Sequence, residues 1–195
     1  MKKIGITGGI GVGKTYVSDI LERLNYPVYN SDVMSKKLVN TNTELISIIK
    51  QDFGHDIYHN NLIQSSKLAA LVFANPLMLN KLNSIVHPFV KKDFNIWCEN
   101  QDSKLVFKEA AILFESNSNI GLDAVICVCA NEEIRISRIK TRDNKNLEEI
   151  QLIISRQLNQ EEKENLSDYK IINDGKSSLL LQIDKILRDL KKVSY

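Results

Sequence analysis

The chain has 195 residues, 43% hydrophobic and 26% charged, which excludes a disordered chain and suits one compact domain with a smaller lobe. Its 26 Lys plus Arg against 24 Asp plus Glu leave a formal charge of +2, too small to argue for a nucleic-acid or membrane surface. Only 8 residues are glycine, against about 14 at average usage, and Gly5, Gly8, Gly9, Gly11 and Gly13 all fall in the opening stretch.

Residues 3–7 predict a short strand that runs straight into these glycines. Val17, Ile20, Leu21 and Leu24 then mark one face of a helix. A second short strand is predicted over 27–30. The block 33–103 shows helical faces and no convincing strand, so it reads as a helical insertion. Its clearest face is Leu82, Ile85, Val86, Phe89 and Val90. Pro76 after Asn75 suits a helix start, and Pro88 is expected to kink or break that helix just after His87. Buried strands follow at 105–109 and 122–129, a helix at 134–140, and a polar helical segment at 141–168 that reads as a mobile lid. A last strand is predicted over 169–172, stopped by Asn173-Asp174-Gly175, before a helix faced by Leu179, Ile183, Ile186, Leu187 and Leu190. Strands alternating with helices predict an α/β fold with a parallel sheet of about five strands flanked by helices. A single domain is expected, with its core over 1–32, 104–140 and 169–195, the insertion over about 33–103 and the lid over about 141–168.

Cys98, Cys127 and Cys129 follow no metal spacing and read as buried free thiols. His55 and His59 lack acidic partners for a metal. The opening residues show no secretory signal pattern and no run reaches the length of a membrane span. A soluble, cytoplasmic protein is expected.

The segment Gly8-Gly9-Ile10-Gly11-Val12-Gly13-Lys14-Thr15 matches GxxxxGK[ST] between a strand and an amphipathic helix. Glycines let backbone N–H groups turn inward around phosphate, and the helix N-terminus adds its own donors. Lys14 supplies charge to the β- and γ-phosphates, and the Thr15 hydroxyl is placed to ligate Mg²⁺. The expected ATP-binding segment comprises Gly8, Gly9, Gly11, Val12, Gly13, Lys14, Thr15 and Tyr16. A GTPase is disfavoured, since Asn144-Lys145-Asn146-Leu147 lacks the aspartate of NKxD and no DxxG is present. Asp52-Phe53-Gly54 imitates a protein-kinase tripeptide without the HRD that should precede it, and reads as a helix-ending turn. A small ATP-dependent kinase remains.

Several further strings resemble the dephospho-coenzyme A kinase family. Residues 4–14 resemble its ITGGIGSGK signature, Ser31-Asp32 the end of its DAD motif, and Phe73-Ala74-Asn75-Pro76 and His87-Pro88 its FANP and HP landmarks. Ala111-Ile112-Leu113-Phe114-Glu115 is similar to its PLLFE turn, Arg138 and Arg142-Asp143 to its lid, and Ile172-Asn173-Asp174-Gly175 to its INxG turn. The chain departs from the pattern at Asn30 (an aspartate in the family), Thr15, Ala111 and Gln64-Ser65-Ser66. The resemblance implies transfer of the ATP γ-phosphate to the ribose 3′-hydroxyl of dephospho-CoA, with Asp32, Lys14 and Arg142 catalytic. It also implies acceptor contacts at Asp32, His87 and Glu115, and an insertion that helps to hold the acceptor.

Each role has a plainer alternative. Asp32 either takes the hydroxyl proton or caps the helix starting at Val33. Glu109 either holds Mg²⁺, with Thr15, or is an ordinary strand-end acid. Arg138 and Arg142 serve the phosphates or decorate a solvated helix. His87 contacts the acceptor or caps a broken helix, and Asn173 and Gly175 form a turn against adenine or a common strand-to-helix loop. The competing functions are a nucleoside or nucleotide kinase of similar architecture and an ATP-sensing module without kinase activity. The expected partners are ATP and dephospho-CoA, with no nucleic acid or membrane, on a monomer or weak oligomer.

Overall fold

The computed structural model describes residues 1–144 and 146–192, with Phe73, Ala74 and Pro76 described by backbone alone. The chain folds into two compact units, Met1–Tyr29 with Asp102–Tyr195, and Asn30–Gln101. The landmark over 73–76 and the string over 144–147 therefore lie partly outside the described residues.

In the first unit, strands β1 (Lys2–Thr7), β5 (Leu105–Glu109), β6 (Ala124–Cys129) and β7 (Tyr169–Ile172) join β2 (Val28–Asn30) in a sheet ordered β2-β5-β1-β6-β7. β1 pairs parallel with both β5 and β6, in register Ile4 with Phe107 and Ile4 with Ala124. The order reverses at β1, so the loop beyond its carboxyl end lies at the switch point where such sheets bind ligands. Alternation builds the core on both faces. Ile4, Ile6, Phe107, Ile126 and Val128 turn one way, into Val17 and Leu21 of α1 (Lys14–Arg23) and Ile183, Ile186, Leu187 and Leu190 of α9 (Leu179–Lys192). Val125 points the other way, to Ala110 and Leu113. Both faces are covered, which is why β6 reads as a continuous apolar run and every residue of β5, Lys108 and Glu109 included, is buried.

Helices α6 (Glu132–Asp143), α7 (Leu147–Ser155) and α8 (Gln160–Asn165) follow β6, each opened by an asparagine cap at Asn131, Asn146 or Asn159. Cys98, Cys127 and Cys129 are buried thiols, as expected.

The second unit contains α2 (Ser31–Thr41), α3 (Thr43–Phe53), α4 (Ser65–Ala74) and α5 (Pro76–Glu99). Two expectations are corrected here. Pro88 lies inside α5, which runs on through it to Glu99, so of the expected kink or break the break does not occur. Val86 and Val90 on either side are buried, with Phe94 a turn further on, and α5 packs against α2, α3 and α4, so side-chain burial outweighs the one backbone hydrogen bond that proline forfeits. The block also holds strands after all: β3 (Tyr58–His59) and β4 (Leu62–Ile63) form an antiparallel hairpin. Two residues per strand are too few to show alternation, and the turn is made by Asn60 and Asn61, both at positive φ, as a primed two-residue turn requires. Asn75 caps α5 ahead of Pro76, and Asp52-Phe53-Gly54 closes α3, both as expected. No helix among the described residues is long and apolar enough to cross a membrane.

Candidate active site

β1 delivers the chain into the loop Gly8–Gly13, and α1 leaves it at Lys14. Gly13 caps that helix at φ 89°, a left-handed conformation that a Cβ would strain, and its missing side chain makes room for Asn173 Nδ2. Lys14 folds back over the loop, donating from Nζ to Gly8 O (2.9 Å) and Gly9 O (3.2 Å). Its ammonium is thus held inside the ring of backbone that would enclose phosphate. Val12 is buried, whereas Tyr16 is 61% exposed on the outer side of α1.

Thr15 Oγ1 donates to Glu109 Oε1 over 3.0 Å. Glu109 ends β5 and is only 4% exposed. A hydroxyl and a carboxylate side by side are two hard oxygens of the kind that Mg²⁺ takes from a protein when nucleotide phosphates and water complete its octahedron. Among the described residues no group of three or more His, Cys, Asp or Glu could hold a metal ion.

A second cluster holds the rear of the loop. Arg138 donates from Nη1 to Val12 O (3.2 Å) and from Nη2 to Asn173 O (3.1 Å) and Oδ1 (3.2 Å). Asn173 Nδ2 donates to the same Val12 O over 2.8 Å. The turn after β7 is therefore tied to the phosphate loop, and Gly175 lies just past it at φ 78°.

Other expected residues stand elsewhere. Arg142 is exposed and forks onto the adjacent Asp143 with bonds of 2.7 and 2.8 Å, and this contact raises its already high pKa. Glu115 Oε1 accepts from Leu158 N (2.8 Å) and pairs with Lys163 Nζ (2.8 Å), which is the work of a structural tie. In the second unit, Asp32 is exposed in the first turn of α2. It is not the cap of that helix: Asn30 is, accepting from Val33 N over 3.0 Å. The departure at Asn30 thus keeps a good cap, and Asp32 is relieved of that duty. His87 is half-buried within α5.

Four residues of the loop's surroundings carry no motif. Arg135 is buried over the loop and donates from Nε to Ile10 O (2.9 Å), its burial lowering its pKa. Gln157, Gln160 and Lys163 also converge on this region. Arg135 lies three residues before Arg138, one turn of the same helix, and that spacing was the one signal available. Lys163 sits among Glu161, Glu162 and Glu164 and reads as a solvated face.

The dephospho-CoA kinase family matches residues 2–178 of the chain. A dephospho-CoA kinase of Bacteroides fragilis is 37% identical over 195 residues, covering 99% of this chain and 95% of the relative. One from Porphyromonas gingivalis is also 37% identical, with coverage of 98% and 95%. Among solved structures, TT1252 from Thermus thermophilus is similar at a TM-score of 0.83 and 27% identity, covering 100% of this chain and 98% of that one. A dephospho-CoA kinase from Campylobacter jejuni shares the fold at a TM-score of 0.68 and 24% identity, with coverage of 100% and 98%.

Proposed function

The chain belongs to the dephospho-CoA kinase family, and on that premise we propose that it transfers the γ-phosphoryl group of ATP to the ribose 3′-hydroxyl of dephospho-CoA, giving coenzyme A and ADP. The observation that carries the kinase reading is the joining of Lys14, Thr15 and Glu109 around one glycine loop at the switch point of the sheet.

In the reaction, the 3′-hydroxyl oxygen forms a bond to the γ-phosphorus as the bond to the bridging oxygen of ADP breaks. Chemistry of this type rests on positioning and on charge stabilisation. Lys14 turns its ammonium from Gly8 O and Gly9 O onto the β- and γ-phosphate oxygens. Thr15 and Glu109 would hold Mg²⁺, which would supply neutralisation of phosphate charge. Gly8, Gly9, Gly11, Val12, Gly13 and Tyr16 complete the ATP segment, with Arg138, Asn173 and Gly175 on the side of the base. Arg142 exchanges Asp143 for the transferring phosphoryl group, whose spread charge suits a planar guanidinium. Arg142 is carried near the start of residues 141–168, the proposed lid, whose later part is tied down through Glu115 and Lys163.

Asp32 takes the hydroxyl proton and passes it to solvent. Its support is its place, two residues beyond the strand end of β2, and its freedom from capping. His87 contacts the acceptor, and the geometry of Glu115 favours a tie over an acceptor contact. The reading also places the enzyme in the cytoplasm, as a monomer or weak oligomer acting on two small molecules without nucleic-acid or membrane partners. Asp32→Asn tests the mechanism: turnover should fall at least about 100-fold, the scale of general-base catalysis, while calorimetric ATP affinity survives. Near-normal turnover in that variant would remove Asp32 from the chemistry.

A further inference from the structure

The front half of the phosphate loop is gripped by a segment that no motif marks. Ile10 N donates to Gln157 Oε1 over 2.8 Å, and Gly9 N donates to Gln160 Oε1 over 3.0 Å. Gln160 is itself oriented, because its Nε2 donates to Val128 O (3.2 Å) on β6 and to Glu164 Oε1 (3.1 Å). With donors facing one end of the amide and acceptors the other, its carbonyl can point only at the loop. The segment is anchored just beyond. Lys163 is wholly buried and donates to Ala111 O (2.6 Å), and Glu115 holds both Lys163 and the amide of Leu158, the residue after Gln157.

Gly9 records the same contact. The GxxxxGK[ST] pattern leaves this position open, yet a Cβ here would stand 2.5 Å from Arg135 Nη2 and 3.3 Å from Gln160 Oε1. Glycine here gives the two-glutamine bracket, and the movable end of Arg135, room to approach the loop closely. The amides of Gly9 and Ile10 are committed to glutamine oxygens, which leaves the loop beyond them to face phosphate.

We propose that Gln157 and Gln160 are positioning residues that fix the front half of the phosphate loop, so that ATP affinity depends on two uncharged side chains outside it. This rests on reading residues 8–15 as the ATP loop. The test compares Gln157→Met, which keeps length and removes the acceptor, with Gln160→Met and Lys14→Ala. In Gln157→Met the KM for ATP should rise about five- to tenfold, the scale of one lost hydrogen bond. The KM for dephospho-CoA should stay within about twofold, and the Ile10 amide should exchange its proton faster by NMR. Gln160→Met should shift the same KM and speed exchange at Gly9. An unchanged KM for ATP in both glutamine variants, beside a large loss in Lys14→Ala, overturns the bracket. So does a fall in that KM, which would mean that glutamine competes with phosphate, or an equal rise in both KM values, which would mean general loosening. No loss in Lys14→Ala overturns the loop reading and the bracket with it.

Discussion

Thr15 and Glu109 come from segments 94 residues apart and meet at 3.0 Å. Glu109→Gln keeps the shape and an acceptor oxygen for the hydroxyl while removing the charge. The Mg²⁺ concentration for half-maximal ADP release should therefore rise roughly tenfold, equivalent to about 1.4 kcal/mol, with little change in the thermal midpoint. An unchanged Mg²⁺ requirement would take the pair out of the metal site. Lys14 and Thr15 were legible because a fixed spacing on one short loop carries their chemistry. Glu109 was legible only as an acid at a strand end, since its partner lies on another strand's loop. Gln157 and Gln160 were not legible at all, and Arg135 only through its spacing from Arg138. Their partners are backbone groups of the loop, and a sequence does not show which carbonyl or amide a side chain reaches.

Helix α8 has six residues and a polar sequence, so local propensity cannot hold it. Tertiary contacts hold it: Gln160 donates to Val128 O, and Lys163, 0% exposed, donates to Ala111 O and pairs with Glu115. Removing one partner of a buried pair leaves the other charge uncompensated, at a cost of about 3–5 kcal/mol. Because Glu115 is partly exposed, Glu115→Ala should cost about 3 kcal/mol in chemical denaturation, through the stranded Lys163 ammonium and the orphaned Leu158 amide. Lys163→Met, which strands a carboxylate that water still reaches, should cost less. Equal and small losses would show that the pair does not secure the segment. The sustained period of α9 and the apolar run of β6 were readable to within a residue or two. The hairpin at 58–63 was hidden by its brevity, and α5 is not broken at Pro88 because tertiary burial around Val86 and Val90 overrode the local cost of the proline.

At the scale of the molecule, the glycines crowded into the opening residues mark the one loop where a side chain would obstruct phosphate or its supporting contacts, and the rest of the chain builds the sheet that presents it. The alternation of strands and helices made that sheet legible. The insertion over about 33–103 was inferred from a break in the same alternation, and the two compact units part at 29/30 and 101/102. The acceptor's identity comes from family membership together with the dispersed landmarks, and no single contact encodes it. It is tested most directly by measuring ADP release with Mg²⁺ and ATP in the presence of dephospho-CoA, AMP or a panel of nucleosides, with mass spectrometry of the products. Dephospho-CoA should be strongly preferred and should gain one phosphoryl group on its ribose 3′-oxygen. Turnover with AMP or a nucleoside equal to or above that with dephospho-CoA, or no phosphorylated small molecule from any acceptor, would contradict the account.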